Sequence, residues 1–181
     1  MTVFDFVNVD NSEIMLKIIK SFSELNKTQY LNLCRDSIRK NGCEIYRRCS
    51  EEQQVHYAQE DLFDYLRDDF FKQQGAFCAV WVIDCVYKSA LRIEPYSDGV
   101  LLHALETDPD ARKMGYAYCL TTAVFAYLRQ ENCTAVYSHV HKQNLPSLRL
   151  HEKCGFQKVA DSAVYIDGTV TQNSFTMMLT L

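Results

Sequence analysis

Between Val100 and Val140 the chain passes from a strand pattern to a long helix pattern and back again, and few folds accommodate that succession. Val100 to Thr107 reads as a strand, Asp108-Pro109-Asp110 as a turn, and about Lys113 to Gln130 as a helix. Leu120, Ala123, Val124, Tyr127 and Leu128 form the inner stripe of that helix. Ala135 to Val140 is again a strand. Two strands joined through a crossover helix run parallel, with a right-handed connection. The chain is thereby committed to a sheet with at least one parallel pair.

The flanking segments make the rest of that sheet antiparallel. Phe77 to Ile83 is a dense apolar run, Asp84-Cys85 turns it into Val86 to Ile93, and Pro95-Tyr96-Ser97-Asp98-Gly99 leads into Val100, so three strands form a meander. Past Val140, a short helix starts near Asn144 and ends before Gly155, a residue suited to a left-handed C-cap. Two closing strands, about Lys158 to Ile166 and Thr169 to Leu179, are joined by the hairpin signal Asp167-Gly168. Upstream of Gly75 the pattern predicts helices over Ser12 to about Phe22, Lys27 to Lys40 and Glu51 to Phe71. The expected fold is α+β, a mixed and mostly antiparallel twisted sheet flanked by helices. With three prolines and no low-complexity tract, no linker is visible, and 181 residues suit a single domain.

Charge and cysteine usage exclude several function classes. A net charge of -4 with scattered Lys and Arg offers no basic stripe for nucleic acid. No stretch approaches the ~18 apolar residues of a membrane span, and Met1 to Asp10 lacks a basic, then apolar, export signal. A cytoplasmic protein with reduced thiols is expected. The eight cysteines contain no C-x-x-C pair, so no metal is expected either. Cys154 is the thiol expected to alkylate.

Arg112-Lys113-Met114-Gly115-Tyr116-Ala117 carries the chemistry. A strand that enters a helix through a short turn leaves several N–H groups unpaired at the positive end of the helix dipole, which suits phosphate. Gly115 allows close backbone approach, Ala117 is small, and Arg112 and Lys113 add charge. By itself the run is a weak signal and reads more readily as an ordinary helix start with solvated basic neighbours. The longer stretch Leu105 to Ala117, however, resembles the central motif of the GNAT superfamily of acetyl-CoA-dependent N-acetyltransferases, in which a proline turn precedes an Arg/Gln-x-x-Gly-x-Gly/Ala loop. Asn144-Leu145-Pro146-Ser147-Leu148-Arg149-Leu150-His151-Glu152-Lys153-Cys154-Gly155-Phe156 resembles its second motif, Asn-x-x-Ala/Ser-x-x-x-Tyr-Glu-Lys-x-Gly-Phe. The resemblance runs from about Ala76 to Leu179. It implies a cofactor-binding core over 76–181 and a mainly helical acceptor-side part over 1–75.

It further implies that the Val100–Thr107 and Ala135–Val140 strands splay apart around acetyl-CoA. Leu105, Glu106 and Thr107 would bond the acetyl group and pantetheine, Arg112 to Ala117 the pyrophosphate, and Asn144, Ser147 and His151 the pantetheine arm. The implied reaction is direct acetyl transfer to a primary amine, on a small molecule or a peptide N-terminus. Binding of acyl-CoA without catalysis is the alternative. Transfer needs a base for the ammonium proton and an acid for the departing thiolate. His139, five residues before Asn144, matches the position of a glutamate base in the ribosomal-protein acetyltransferases of the superfamily; Glu106 is the other candidate base. His151 stands where the family usually has a tyrosine acid. His103 and His141 are expected to be structural or peripheral. Arg92, Glu94, Tyr137 and Tyr165 are candidates to line an amine pocket, with the face of the first two left open. The last strands are a candidate surface for a homodimer.

Overall fold

A computed structural model describes residues 13–181 and the backbone of Val3–Asp5. Its strands run β1 (Val3–Asp5), β2 (Ile14–Ile19), β3 (Phe77–Ile83), β4 (Val86–Tyr96), β5 (Gly99–Thr107), β6 (Ala135–His141), β7 (Gln157–Ala160), β8 (Ala163–Val164), β9 (Val170–Thr171) and β10 (Ser174–Thr180). The helices are α1 (Lys27–Ile45), α2 (Glu51–Asp68), α3 (Tyr116–Gln130) and α4 (Leu145–Lys153). Eight strands form one sheet in the order β1-β2-β3-β4-β5-β6-β10-β7. β5 and β6 run parallel, while the other pairs are antiparallel. The α+β expectation and the parallel pair across α3 both hold.

Two cores sandwich the sheet, and β3 shows why its sequence is apolar without interruption. Phe77, Ala79 and Trp81 point into a cluster with Leu120, Val124 and Leu128 of α3. Cys78, Val80 and Val82 point the other way, onto Tyr30, Leu33 and Ile38 of α1 and Leu66 of α2. A strand covered on both faces needs apolar residues at every position. Ser50 and Gln53 close a capping box at the start of α2, and Asn26 caps α1 through the Gln29 N–H.

Three expectations are corrected. The helix expected from Ser12 to Phe22 is strand β2 over its central residues; Ser12 itself lies outside the described residues. Leu16 and Ile18 enter one core and Ile19 the other, an alternation that a short Ile-rich run hides because helix and strand spacing coincide in it. The two long closing strands are each split. The chain leaves the sheet after Ala160, and Thr176 Oγ1, beside a register shift in β10, donates to the Ser162 carbonyl at 2.7 Å. β8 and β9 pair only with each other, as a ribbon whose turn contains Gly168. α3 begins at Tyr116, three residues later than its periodicity suggests, because Lys113 and Gly115 are both left-handed.

Candidate active site

β5 and β6 are paired only at Val100↔Val136 and Leu101↔Tyr137; beyond these residues the strands part. On its other edge β5 contains a bulge. Ala90↔Glu106 and Arg92↔His103 face each other across β4 and β5, so β5 spends one more residue than β4 between the two pairs. Ala104 absorbs it in a left-handed conformation, φ 49°, which for a residue with a Cβ costs about 1 kcal/mol. The bulge decides where Glu106 goes. Strict alternation would put His103 and Glu106 on opposite faces; with the extra residue both lie opposite β4 residues on the α1 face.

Glu106 consequently stands where three cavities meet. One, of about 440 Å³, runs along Leu105, Thr107, Arg112, Ala117, Asn144 and Ser147. A second, about 360 Å³, continues it past His139, His151 and Tyr165. The third, about 310 Å³, lies beneath α1 and α2, among Tyr30, Cys34, Ser37, Ile38, Leu62 and Arg92. Glu106 lines all three. The largest described cavity, about 500 Å³, is at the other end of the sheet, near Gly75 and Cys133, and contains none of these residues.

The Glu106 carboxylate accepts a short hydrogen bond from Ser37 Oγ. Burial pushes its pKa above the ordinary carboxylate value, against the Ser37 bond and the charges of Arg112 and Arg92, which pull it down. Behind it, the fully buried Ser89 hydroxyl donates to the Glu106 carbonyl at 2.6 Å, fixing the bulge from β4.

The turn before α3 is clamped by α1. Arg35 reaches Asp108 at 3.1 Å and Asp110 at 2.7 Å, and Asp36 reaches Arg112 at 2.8 Å. Gly115, φ 85°, is the N-cap of α3; no side chain caps it, no acid sits in the first turn, and the space beside it is open. The first amides of α3 thus face outward beside Arg112, with Ala117 on the cleft wall. Met114 is 66% exposed.

The histidines are more constrained than the sequence implies. His139 Nε2 lies 3.0 Å from the Val164 carbonyl, so it donates, and Nδ1 lies 3.3 Å from Thr176 Oγ1. Tyr96 and Tyr165 flank the ring edge-on. Burial holds its pKa below the usual histidine value. His151 is 4% exposed, its Nδ1 is 2.8 Å from the Ser147 carbonyl, and its Nε2 is buried with no partner. Nδ1 therefore carries the proton and Nε2 is a bare acceptor. His103, pushed down to about 3 by burial, sits 3.3 Å from Glu94. Tyr137 donates to Asp98 at 2.7 Å.

Residues 40–156, more than half of the chain, match the sequence model of the Acetyltransferase (GNAT) family. The chain belongs to the GNAT family. Solved structures share the fold at low identity. The PaiA N-acetyltransferase of Thermoplasma acidophilum, in complex with coenzyme A, is 15% identical, with 92% of this chain and 99% of that one covered and a TM-score of 0.62. An IAA acetyltransferase from Bacillus cereus is 11% identical over 93% and 100% of the two chains, TM-score 0.57. The ribosomal-protein-S18-alanine N-acetyltransferase of Escherichia coli is 13% identical over 92% and 94%, TM-score 0.54. No curated protein matches by sequence.

In this GNAT protein, cleft and turn gather the residues named from sequence: Leu105, Glu106, Thr107, Arg112, Ala117, Asn144, Ser147, His139 and His151 line the two joined cavities. Asn144 doubles as the cap of α4, its Oδ1 accepting the Ser147 N–H. Lys113, Met114 and Tyr116 are not on the cleft wall. Arg92, left without a face by the sequence, belongs to the α1 side. Ser37 and Ala104 were missed: a serine in a helix and an alanine in a strand carry no signal of their own.

Proposed function

We propose that the protein transfers an acetyl group from acetyl-CoA directly to a primary amine. The observation that carries this reading is the Glu106 carboxylate at the junction of the cofactor-side cleft and the cavity under α1 and α2. The residues fit acetyl-CoA: an uncapped, acid-free helix start with a left-handed glycine and Arg112 suits a pyrophosphate, and the cleft beyond it is partly apolar. Backbone amides of Leu105, Glu106 and Thr107, with the first turn of α3, would hold it, and Asn144 and Ser147 would meet the pantetheine arm. When bound, it supplies an activated acyl thioester and a thiolate leaving group.

Glu106 takes the ammonium proton of the acceptor. A carboxyl raised by burial is a stronger base than an exposed one. His139 is less suited, since its Nε2 proton is committed to Val164 and its Nδ1 faces Thr176. His151 donates from Nδ1 to the Ser147 carbonyl one turn earlier in α4 and is bare at Nε2; it has no second proton to give. A covalent cysteine relay is disfavoured, because Cys34 in the acceptor cavity is pushed up to about 12 and Cys154 to about 11.

The proton-donor position occupied by a buried neutral histidine favours a second reading, binding of acyl-CoA without transfer. Calorimetry with acetyl-CoA and thiol release with a panel of primary amines separate the two. Amine-stimulated thiol release with a stoichiometric acetylated amine supports transfer. Tight acetyl-CoA binding with no amine stimulation leaves only the binding module.

A further inference from the structure

The cavity under α1 and α2 contains a cation with no hydrogen-bond or ion-pair partner among the described residues. Arg92, on β4, has its Nε and Nη1 atoms out of reach of solvent and unbonded. It lies against two aromatic rings, with its guanidinium carbon 5.2 Å from the Tyr65 centroid and 5.8 Å from that of Phe70. Neighbouring acids are engaged elsewhere: Glu94 with the Gln73 side chain and Glu106 with Ser37. Among the described residues no ion pair includes Arg92. A buried guanidinium without a counter-ion is costly, and the usual remedy is a carboxylate in bidentate contact.

We propose that Arg92 receives a carboxylate of the acceptor, so that the substrate is a small aminocarboxylate of the amino-acid type. This rests on the transfer reading above and narrows its acceptor. Arg92 and Glu106 both line the same cavity, so a zwitterion can place its carboxylate at Arg92 and its ammonium at Glu106. Lys40, at the same cavity, adds a second positive charge, and Glu106 is its sole acidic lining residue. A polyamine would set its distal ammonium against Arg92. Ile38, Ala58 and Leu62 complete an apolar wall, and about 310 Å³ suits a compound of amino-acid size.

The test compares alanine, leucine, methionine and glutamate with their carboxamides and with spermidine, by thiol release and by calorimetry in the presence of CoA, on the wild type and on Arg92→Met. The carboxamide amine is the less basic of each pair, so any advantage of the acid reports carboxylate recognition. At least one acid is expected to exceed its amide by tenfold or more in kcat/KM, and Arg92→Met is expected to erase the ratio through KM. Amides or spermidine used as well as every acid by the wild type, or a ratio unchanged in Arg92→Met, overturns the proposal while leaving transfer intact. If no amine releases thiol, Arg92-dependent binding of an acid and not its amide upholds the carboxylate site and refutes transfer. Absence of binding by all four acids refutes the site as well.

Discussion

Glu106 is poised by opposed forces, burial raising its carboxyl and the Ser37 hydroxyl lowering it. Ser37→Ala should therefore move the acidic limb of the kcat/KM–pH profile to higher pH, because the carboxylate loses its donor; a limb that stays put or moves down is the contrary result. Stability has the opposite sign from activity. A carboxyl whose folded pKa exceeds its unfolded one stabilises when protonated, and that contribution is lost as pH rises through the folded value. Glu106→Gln should accordingly gain stability relative to wild type as pH is raised from about 4 to 7, as measured by paired urea titrations. Thiol reactivity follows exposure. Cys43 and Cys85 are exposed, whereas the partly buried Cys154, raised to about 11, offers little thiolate. Mass mapping after brief alkylation should find label on Cys43 and Cys85 first, correcting the expectation that Cys154 leads.

Helix α1 links the two halves of the site through three consecutive residues: Arg35 grips Asp108 and Asp110, Asp36 grips Arg112, and Ser37 bonds Glu106. Its position depends on α2, against which Gly42 packs so closely that an added Cβ would stand 2.4 Å from the Gln54 carbonyl oxygen. Gly42→Ala should force the helices apart and lower stability by about 1–3 kcal/mol, read as a lower urea midpoint; an unchanged midpoint would show that α1 shifts freely. Elements of this kind differ in how far sequence reveals them. The β5-α3-β6 crossover and the α4 motif were legible because length, periodicity and turn residues agreed. Strand β2 was not, since six apolar-rich residues fit either period. The bulge at Ala104 was invisible because nothing but the register of β4 against β5 demands it, and it is the bulge that turns Glu106 toward Arg92 and Ser37. The broken closing strands depend on Thr176 and Ser162, which meet only in the folded chain.

Across the molecule, both cores and the site hold histidines neutral. His103 is pushed down to about 3, and His139 and His151 are lowered by burial. A depressed histidine contributes stability that is lost as pH falls below the unfolded value of about 6.5. For His103 the loss between about pH 7 and pH 5 should be about 2 kcal/mol. His103→Gln should lose correspondingly less over that interval; an equal loss in both proteins would assign the acid sensitivity elsewhere. The same two-faced sheet that buries these rings separates the cleft along Leu105, Arg112 and Asn144 from the cavity under α1 and α2 and leaves Glu106 lining both. The measurement that tests this arrangement most directly is the acetyl-CoA-dependent kcat of wild type and Glu106→Gln with a saturating amine, alongside acetyl-CoA affinity by calorimetry. A fall of about 10²- to 10⁴-fold in kcat with affinity within about threefold is expected. Full turnover by Glu106→Gln would contradict the assignment of Glu106 as the base.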